Sequence, residues 1–81
     1  MSRHRLAHQL AGYDRSTEVL SVEYDVDPAV LKKIKKIVAV DDDDPDLAGS
    51  YPLDNSQLRA ISDITGIQFD IDRYEFFLEP A

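Results

Sequence analysis

The sequence predicts a small α+β domain with the element order β-β-α-α-β, in which two helices cover one face of a small antiparallel sheet. Apolar and polar residues alternate near both ends of the chain, as they do in strands that bury one face. Between these ends, two segments carry apolar stripes at helical spacing. The chain has 81 residues, the length of one domain, which we place at residues 1–81.

The two strands at the N-terminal end are expected to form a hairpin. Over 19–26, apolar residues alternate with polar ones, and they are Leu20, Val22, Tyr24 and Val26. The polar segment 13–18 has the length of a hairpin turn. Residues 3–13 fit either a helix or a strand, and we predict the strand because the strand at 19–26 needs a neighbour.

The first helix is predicted near residues 28–38. Asp27 can accept a hydrogen bond from a free N–H group at the helix start, and Pro28 suits the first helical position. One face is apolar and contains Val30, Leu31, Ile34, Ile37 and Val38. The opposite face contains Lys32, Lys33, Lys35 and Lys36. We expect this lysine face to be solvated.

The second helix is predicted near residues 54–65. Asp54 and Gln57 fit a capping box, in which each side chain accepts a hydrogen bond from the other residue's backbone N–H. Gly66 can end the helix, because glycine readily adopts the left-handed conformation that this position requires.

The last strand is predicted at residues 67–71, where apolar residues occupy the odd positions. Over 74–78, apolar residues occupy the even positions instead. A bulge or short turn near Asp72 and Arg73 would account for this change of phase.

The chain is acidic, with a formal net charge of -7, and the acidity lies in its second half. Residues 39–81 carry nine Asp and two Glu against two Arg. Such a surface repels nucleic acid and attracts basic proteins. The absence of cysteine excludes disulfides and cysteine-based metal sites. We find no leader-like or membrane-spanning apolar run, and we expect a cytoplasmic protein without membrane or nucleic-acid partners.

An Asp-rich segment separates the two helices, and we refer to its residues 41–46 as the Asp loop. Pro45, Gly49 and Pro52 make the surrounding segment a poor helix or strand, so we expect it to be exposed. We predict that the loop and a neighbouring tyrosine bind a basic partner protein. The predicted binding residues are Asp41, Asp42, Asp43, Asp44, Asp46 and Tyr51.

Calcium binding by the Asp loop is an alternative. Asp42, Asp44 and Asp46 have the spacing of the first three ligands of an EF-hand loop. Leu47 and Leu53 then stand where that loop needs a glycine and a bidentate glutamate. We therefore predict neither a specific metal site nor a bound cofactor.

The residue patterns of common enzymes are missing from the sequence. It contains no serine-nucleophile motif, phosphate-binding glycine loop or metalloprotease motif. His4 and His8 would share a face only on a helix, and no third histidine accompanies them. Asp70 and Asp72 are expected on the solvent side of a strand, where carboxylates are poorly suited to acid–base catalysis. We therefore expect a protein without catalytic residues.

Four short motifs have a familiar arrangement. They are Tyr13-Asp14-x-x-Thr17-Glu18, the Asp run before Pro45, Ser50-Tyr51-Pro52-Leu53, and Tyr74-x-Phe76-Phe77-Leu78-Glu79. With them, the chain from Tyr13 onward resembles a family of small, acidic, uncharacterised bacterial domains. The resemblance implies no established activity and no catalytic residues. Small acidic bacterial proteins of this kind are often encoded near toxins, which suggests an immunity role by analogy.

The sequence thus predicts a non-catalytic protein-binding module. Its most concrete form is an immunity protein or inhibitor that blocks a basic, toxin-like partner through the Asp loop and Tyr51. The alternatives are a calcium-binding regulatory module and a nucleic-acid mimic.

Overall fold

A computed structural model describes residues 8–38 and 49–80. In this part of the chain, the strands and helices are β1 (His8–Asp14), β2 (Leu20–Val26), α1 (Pro28–Ile37), β3 (Tyr51–Pro52), α2 (Asn55–Thr65) and β4 (Tyr74–Pro80). The strands form one antiparallel sheet with the order β2-β1-β4-β3. The predicted α+β class is confirmed.

The predicted order β-β-α-α-β is wrong, because a short strand lies between the helices. Tyr51 and Pro52 of β3 pair with Leu78 and Phe77 at the edge of the sheet. A strand of two residues shows no alternation and contains a proline, so no sequence pattern marks it. Proline is tolerated at an edge, where its missing N–H removes no bond between neighbouring strands.

The predicted strand at 67–71 is also wrong, since the chain there forms an irregular connection that ends in a turn. The Asp70 carbonyl accepts hydrogen bonds from the backbone N–H groups of Arg73 and Tyr74, at 3.3 and 3.0 Å. Phe69 packs against the core, so the alternation reflects burial without strand pairing. The strand beside β1 is β4, which begins after the turn.

The predicted hairpin of β1 and β2 is confirmed. Its turn is ordered by the Asp14 carboxylate, which accepts hydrogen bonds from the backbone N–H groups of Ser16 and Thr17 at 2.8 and 3.1 Å. An aspartate that bonds the backbone just after itself is a common turn-forming device. Residues 15–19 therefore join the two strands, whereas Tyr13 and Asp14 of the predicted turn belong to β1.

Leu20 departs from the apolar face that the sequence assigned to it. The pairing of β1 with β2 shifts between Gly12 and Tyr13, so that Leu20 lies opposite Tyr13. Leu20 is 39% exposed, whereas Val26 at the other end of β2 is 4% exposed. Such an irregularity changes the side to which the residues beyond it point. The apolar face of β2 therefore begins at Val22.

Both helices begin and end near the predicted residues. The Asp27 side chain accepts a hydrogen bond from the first turn of α1 at 2.9 Å, and Pro28 is the first residue of that helix. Asp54 and Gln57 form the capping box of α2, with both hydrogen bonds at 2.8 Å. Gly66 ends α2 with a left-handed φ of 77°. In the described part of the chain, no helix is long and apolar enough to cross a membrane.

The core lies between the two helices and one face of the sheet. Its buried members are Leu10, Val26, Ile34, Val38, Leu53, Leu58, Ile61, Phe76 and Leu78. On the sheet these residues occupy neighbouring positions, and Leu10 lies between Tyr24 and Leu78. Since α1 and α2 both contribute to this cluster, they lie on the same face of the sheet, as predicted.

Gly12 allows the centre of the sheet to pack closely. It pairs with Val22 on one side and with Phe76 on the other. A Cβ atom at this position would lie 2.7 Å from the Phe76 ring and would also overlap Val22, which is well inside van der Waals contact. Phe76 is 1% exposed and meets the rings of Phe69 and Tyr74 at centroid distances of 5.0 and 6.1 Å. It therefore has little room to move aside.

We predict that Gly12→Ala lowers the free energy of unfolding by about 1–3 kcal/mol, the usual penalty for overpacking a core. Chemical denaturation followed by circular dichroism measures this change. In a double-mutant cycle, Phe76→Leu should recover part of the penalty, because the smaller side chain leaves room for the added methyl group. An unchanged denaturation midpoint in Gly12→Ala would contradict the close packing.

Asp54→Ala should lower stability by about 0.5–2 kcal/mol, because a backbone N–H at the start of α2 loses its acceptor. Asp54→Asn keeps an acceptor oxygen and serves as the matched control. The same denaturation measurement compares the two variants. Equal stability of both would mean that Asp54 does not cap the helix.

Candidate binding site on the helix-free face of the sheet

The face of the sheet opposite the helices displays the odd-numbered residues of the central strands. They pair across the sheet in three rows: Asp25, Gln9 and Glu79; Glu23, Ala11 and Phe77; and Tyr13 with Glu75. Neither α1 nor α2 covers this face, because both pack against the other one. The face therefore combines two aromatic rings with several carboxylates.

The side chain of Tyr13 extends along this face. Its hydroxyl donates to the Glu79 carboxylate, whose two oxygens each lie 3.0 Å away, although Tyr13 pairs in the sheet with Glu75. The phenol must therefore pass over the row of Ala11 and Phe77, which is consistent with the complete burial of Ala11. The rings of Tyr13 and Phe77 meet edge to face at 5.5 Å, a geometry that aromatic pairs prefer.

A groove of about 430 Å³ lies beside this aromatic pair, and we call it the sheet groove. Its lining residues are Tyr13, Asp14, Arg15, Glu18, Ser50, Glu75, Phe77 and Glu79. Four of these side chains are carboxylates and one is a guanidinium. The groove is therefore both aromatic and acidic.

The carboxylates at the two ends of the sheet groove have different partners. At one end, Arg15 forms an ion pair with Glu75 at 4.0 Å and donates from its Nε to a backbone carbonyl at 3.1 Å. At the other end, Glu79 accepts hydrogen bonds from the hydroxyls of Tyr13 and Ser50, at 3.0 and 3.1 Å. Within the described ranges, no basic side chain forms an ion pair with Glu79.

Hydrogen bonding shifts two pKa values at the groove in opposite directions. The hydrogen bond to Glu79 raises the pKa of the Tyr13 phenol above its usual 10.0, and burial and nearby carboxylate charge add to this. Backbone N–H groups of Ser16 and Thr17 lower the pKa of the Asp14 carboxyl below its usual 3.8. At neutral pH, Tyr13 is therefore a protonated donor and Asp14 is a charged acceptor.

The predicted partner site lies only partly in the described chain. Its aspartates, which also have the calcium-loop spacing, fall outside the described residues: Asp41, Asp42, Asp43, Asp44 and Asp46. Tyr51 is half-buried, packs against the core and pairs with Leu78, so it does not line the sheet groove. After the Asp loop the described chain resumes at Gly49, and Ser50 bonds Glu79. The chain thus rejoins the sheet at the groove.

Sequence analysis missed the convergence of Tyr13, Ser50, Phe77 and Glu79. The available signal was the phase of β4, whose even positions belong to the core. That phase leaves Phe77 as a large apolar side chain on the solvent side, and apolar residues in such positions mark binding faces when they cluster. The contact of Phe77 with Tyr13 could not be predicted from the sequence, because it depends on the pairing of β1 with β4.

The other described candidate residues, His8, Asp70 and Asp72, do not line the sheet groove. His8 is buried in β1 and so shares no helix face with His4, which lies outside the described residues. Asp70 and Asp72 are exposed as expected, but they belong to the connection before β4 and not to a strand. Residues 8–38 and 49–80 contain no group of three or more His, Asp or Glu side chains placed to hold a metal ion.

Comparison with known proteins gives a family match over most of the chain. Residues 8–79 match the family model described as "Domain of unknown function (DUF7683)". The match begins at the first residue of β1, extends into β4 and includes every residue that lines the sheet groove. No curated protein and no solved structure matches the chain.

We predict that the phenol of Tyr13 titrates above pH 10.0 and that Glu79→Gln lowers its pKa toward this value. The substitution removes the negative charge that favours the protonated phenol. Ultraviolet titration of tyrosinate measures the shift, and Tyr13→Phe identifies its signal among the four tyrosines.

The same pKa shift makes stability depend on pH in the alkaline range. Because the pKa is raised in the folded state, its contribution to stability is complete below about pH 10 and is lost as the pH rises through the folded-state value. The alkaline loss of stability should be smaller in Tyr13→Phe. A Tyr13 titration that is unaffected by Glu79→Gln would contradict the assignment.

Proposed function

This chain belongs to the DUF7683 family of domains of unknown function, and we propose that it is a non-catalytic module that binds a basic protein. The main support is one observation: the helix-free face of the sheet carries the Tyr13–Phe77 ring pair within a groove lined by carboxylates. Aromatic rings grouped among charged side chains are typical of protein-binding surfaces.

The composition of the sheet groove matches what interfaces use. Aromatic side chains are enriched at the centres of interfaces and contribute much of the binding energy there. Phe77 is half-buried on β4, which lies between β1 and β3 in the sheet. The surrounding carboxylates favour a partner of opposite charge and disfavour acidic partners. Together these features support recognition of a basic protein.

The non-catalytic part of the proposal is supported by the protonation states at the groove. A general acid or base works best when its pKa lies near the working pH. Hydrogen bonding raises the pKa of Tyr13 and lowers that of Asp14, so both move away from neutrality. The Glu79 carboxylate is already bonded by two hydroxyls. Groups in these states are suited to holding a partner and poorly suited to transferring protons.

We propose that the Asp loop steers the same partner toward the groove. Residues 41–46 contain five aspartates, and the chain that follows them is attached to Glu79 through Ser50. Charges at the rim of an interface act mainly on the association rate, whereas central contacts act mainly on dissociation. The most concrete form of this function is a cytoplasmic immunity protein or inhibitor that covers the substrate-binding surface of a basic, toxin-like protein.

Affinity capture from the source organism, followed by binding kinetics at two salt concentrations, tests this proposal. We expect a basic partner whose association slows as the salt concentration rises. Asp42→Asn combined with Asp43→Asn should slow association and reduce its salt dependence, with little effect on dissociation. The matched control combines Asp63→Asn with Asp72→Asn, which removes the same charge from exposed positions outside the groove.

Two results would contradict the proposed function. One is capture of an acidic partner as the specific complex. The other is a control pair that slows association as much as the Asp-loop pair, since the effect would then come from net charge alone. Phe77→Ala should raise the dissociation rate, and circular dichroism of this variant verifies that the fold is retained.

A further inference from the structure

We propose that the Glu79 end of the sheet groove binds an arginine side chain of the basic partner. The inference rests on the proposed function and specifies the chemical group that the groove recognises. Three observations support it: the difference between the two ends of the groove, the hydrogen bonding of Glu79, and the aromatic rings beside it.

The groove already contains a guanidinium at its opposite end. Glu75 and Glu79 lie on the same face of β4, separated by four residues, or roughly 13 Å along a strand. The guanidinium of Arg15 pairs with Glu75 at 4.0 Å, and the turn holds Arg15 there through a backbone bond from its N–H to the Arg73 carbonyl at 3.0 Å. The Glu79 end offers the same kind of carboxylate but, among the described residues, has no basic side chain in an ion pair. The groove therefore has one internal arginine and one position for another.

The hydrogen bonds that Glu79 already accepts leave room for one more donor. The Tyr13 hydroxyl lies 3.0 Å from both carboxylate oxygens, and Ser50 Oγ lies 3.1 Å from one of them. A carboxylate offers about four acceptor positions, so these two hydroxyls leave acceptor capacity for an additional donor. A guanidinium N–H can donate to the carboxylate oxygen that Ser50 does not bond, and such a charge-assisted bond is stronger than a neutral hydrogen bond.

The aromatic rings favour arginine over lysine. Tyr13 and Phe77 line the groove next to Glu79. A guanidinium is planar and weakly hydrated, so it can stack on an aromatic ring while it pairs with a carboxylate. The ammonium group of lysine is compact and strongly hydrated, so it loses more hydration free energy on entering such a site. A groove of about 430 Å³ falls in the range of about 300–1,000 Å³ that accommodates small ligands, so it has room for one side chain.

Titration with capped tripeptides, followed by NMR amide shifts of the full chain, tests the inference without the natural partner. The probe is acetyl-Gly-Arg-Gly-amide, and the comparison peptides carry lysine or citrulline in place of arginine. We expect saturable binding of the arginine peptide with a Kd on the order of millimolar, as for a single side-chain contact. The shifts should centre on Tyr13, Ser50, Phe77 and Glu79. The lysine peptide should bind more weakly, and the uncharged citrulline peptide should show no saturable binding.

Variants separate the proposed site from general electrostatic attraction. Glu79→Gln should weaken binding of the arginine peptide by about tenfold, because the charge-assisted pair is lost. Glu23→Gln is the matched control: it makes the same substitution on the same face, in β2, outside the groove lining. Its affinity should stay close to that of the unmodified chain. Tyr13→Phe keeps the ring and removes the hydroxyl that orients Glu79. It should therefore weaken binding of the arginine peptide less than Glu79→Gln does.

Several results would overturn the arginine site. Equal weakening by Glu79→Gln and Glu23→Gln, or equal affinity for the arginine and lysine peptides, would exclude specific recognition. A further result would be that the unmodified chain does not bind the peptide, whereas a variant with Arg3→Gln and Arg5→Gln does. The groove would then be a site for the chain's own N-terminal arginines and not for a partner's.

The natural complex distinguishes failure of this inference from failure of the proposed function. If a basic partner is captured and Glu79→Gln leaves its dissociation rate unchanged, the arginine site is wrong and the protein-binding function stands. If the arginine peptide binds as described but the captured partner is acidic, the groove chemistry is supported and the proposed function is wrong.

Discussion

The contact of the Phe76 ring with the backbone of Gly12 is the constraint on which the rest of the sheet depends. Because Gly12 has no Cβ atom, the Phe76 ring packs closely against β1 and meets the rings of Phe69 and Tyr74. This ring cluster and both helices pack on the same side of the sheet. Phe69 and Ile71, in the connection between α2 and β4, pack on that side as well. The core is therefore filled from one face, and the described helices leave the opposite face uncovered.

The face opposite the described helices has to satisfy two requirements that oppose each other. It lies over the centre of the sheet, where Ala11 is completely buried, yet it must remain compatible with water. Tyr13 meets both requirements, because its ring packs against Phe77 while its hydroxyl bonds Glu79. The arrangement that shields the sheet backbone thereby also creates an acidic groove with aromatic walls, which is the basis of the proposed protein-binding function.

The parts of this fold that were predictable from the sequence are governed by local rules. The caps by Asp27 and Asp54, the left-handed Gly66 and the alternation in β2 each depend on residues close together in the chain. The failures involve distant partners. Residues 67–71 alternate because Phe69 and Ile71 pack on the core, with no strand beside them, and the two-residue β3 exists only through its pairing with β4. The groove was missed for the same reason, since Tyr13 reaches Glu79 only after β1 and β4 have paired.

The central position of β4 has a consequence for how the protein is made in the cell. The hydrogen bond between Tyr13 and Glu79 joins residues 66 positions apart, and β1 lacks its second neighbour until β4 has been synthesised. An isolated two-stranded hairpin is at best marginally stable. The apolar side of β1 and β2 therefore lacks Phe76 and Leu78 until residues 74–80 leave the ribosome. Folding of this domain is therefore completed only after β4 has emerged and can pair with β1.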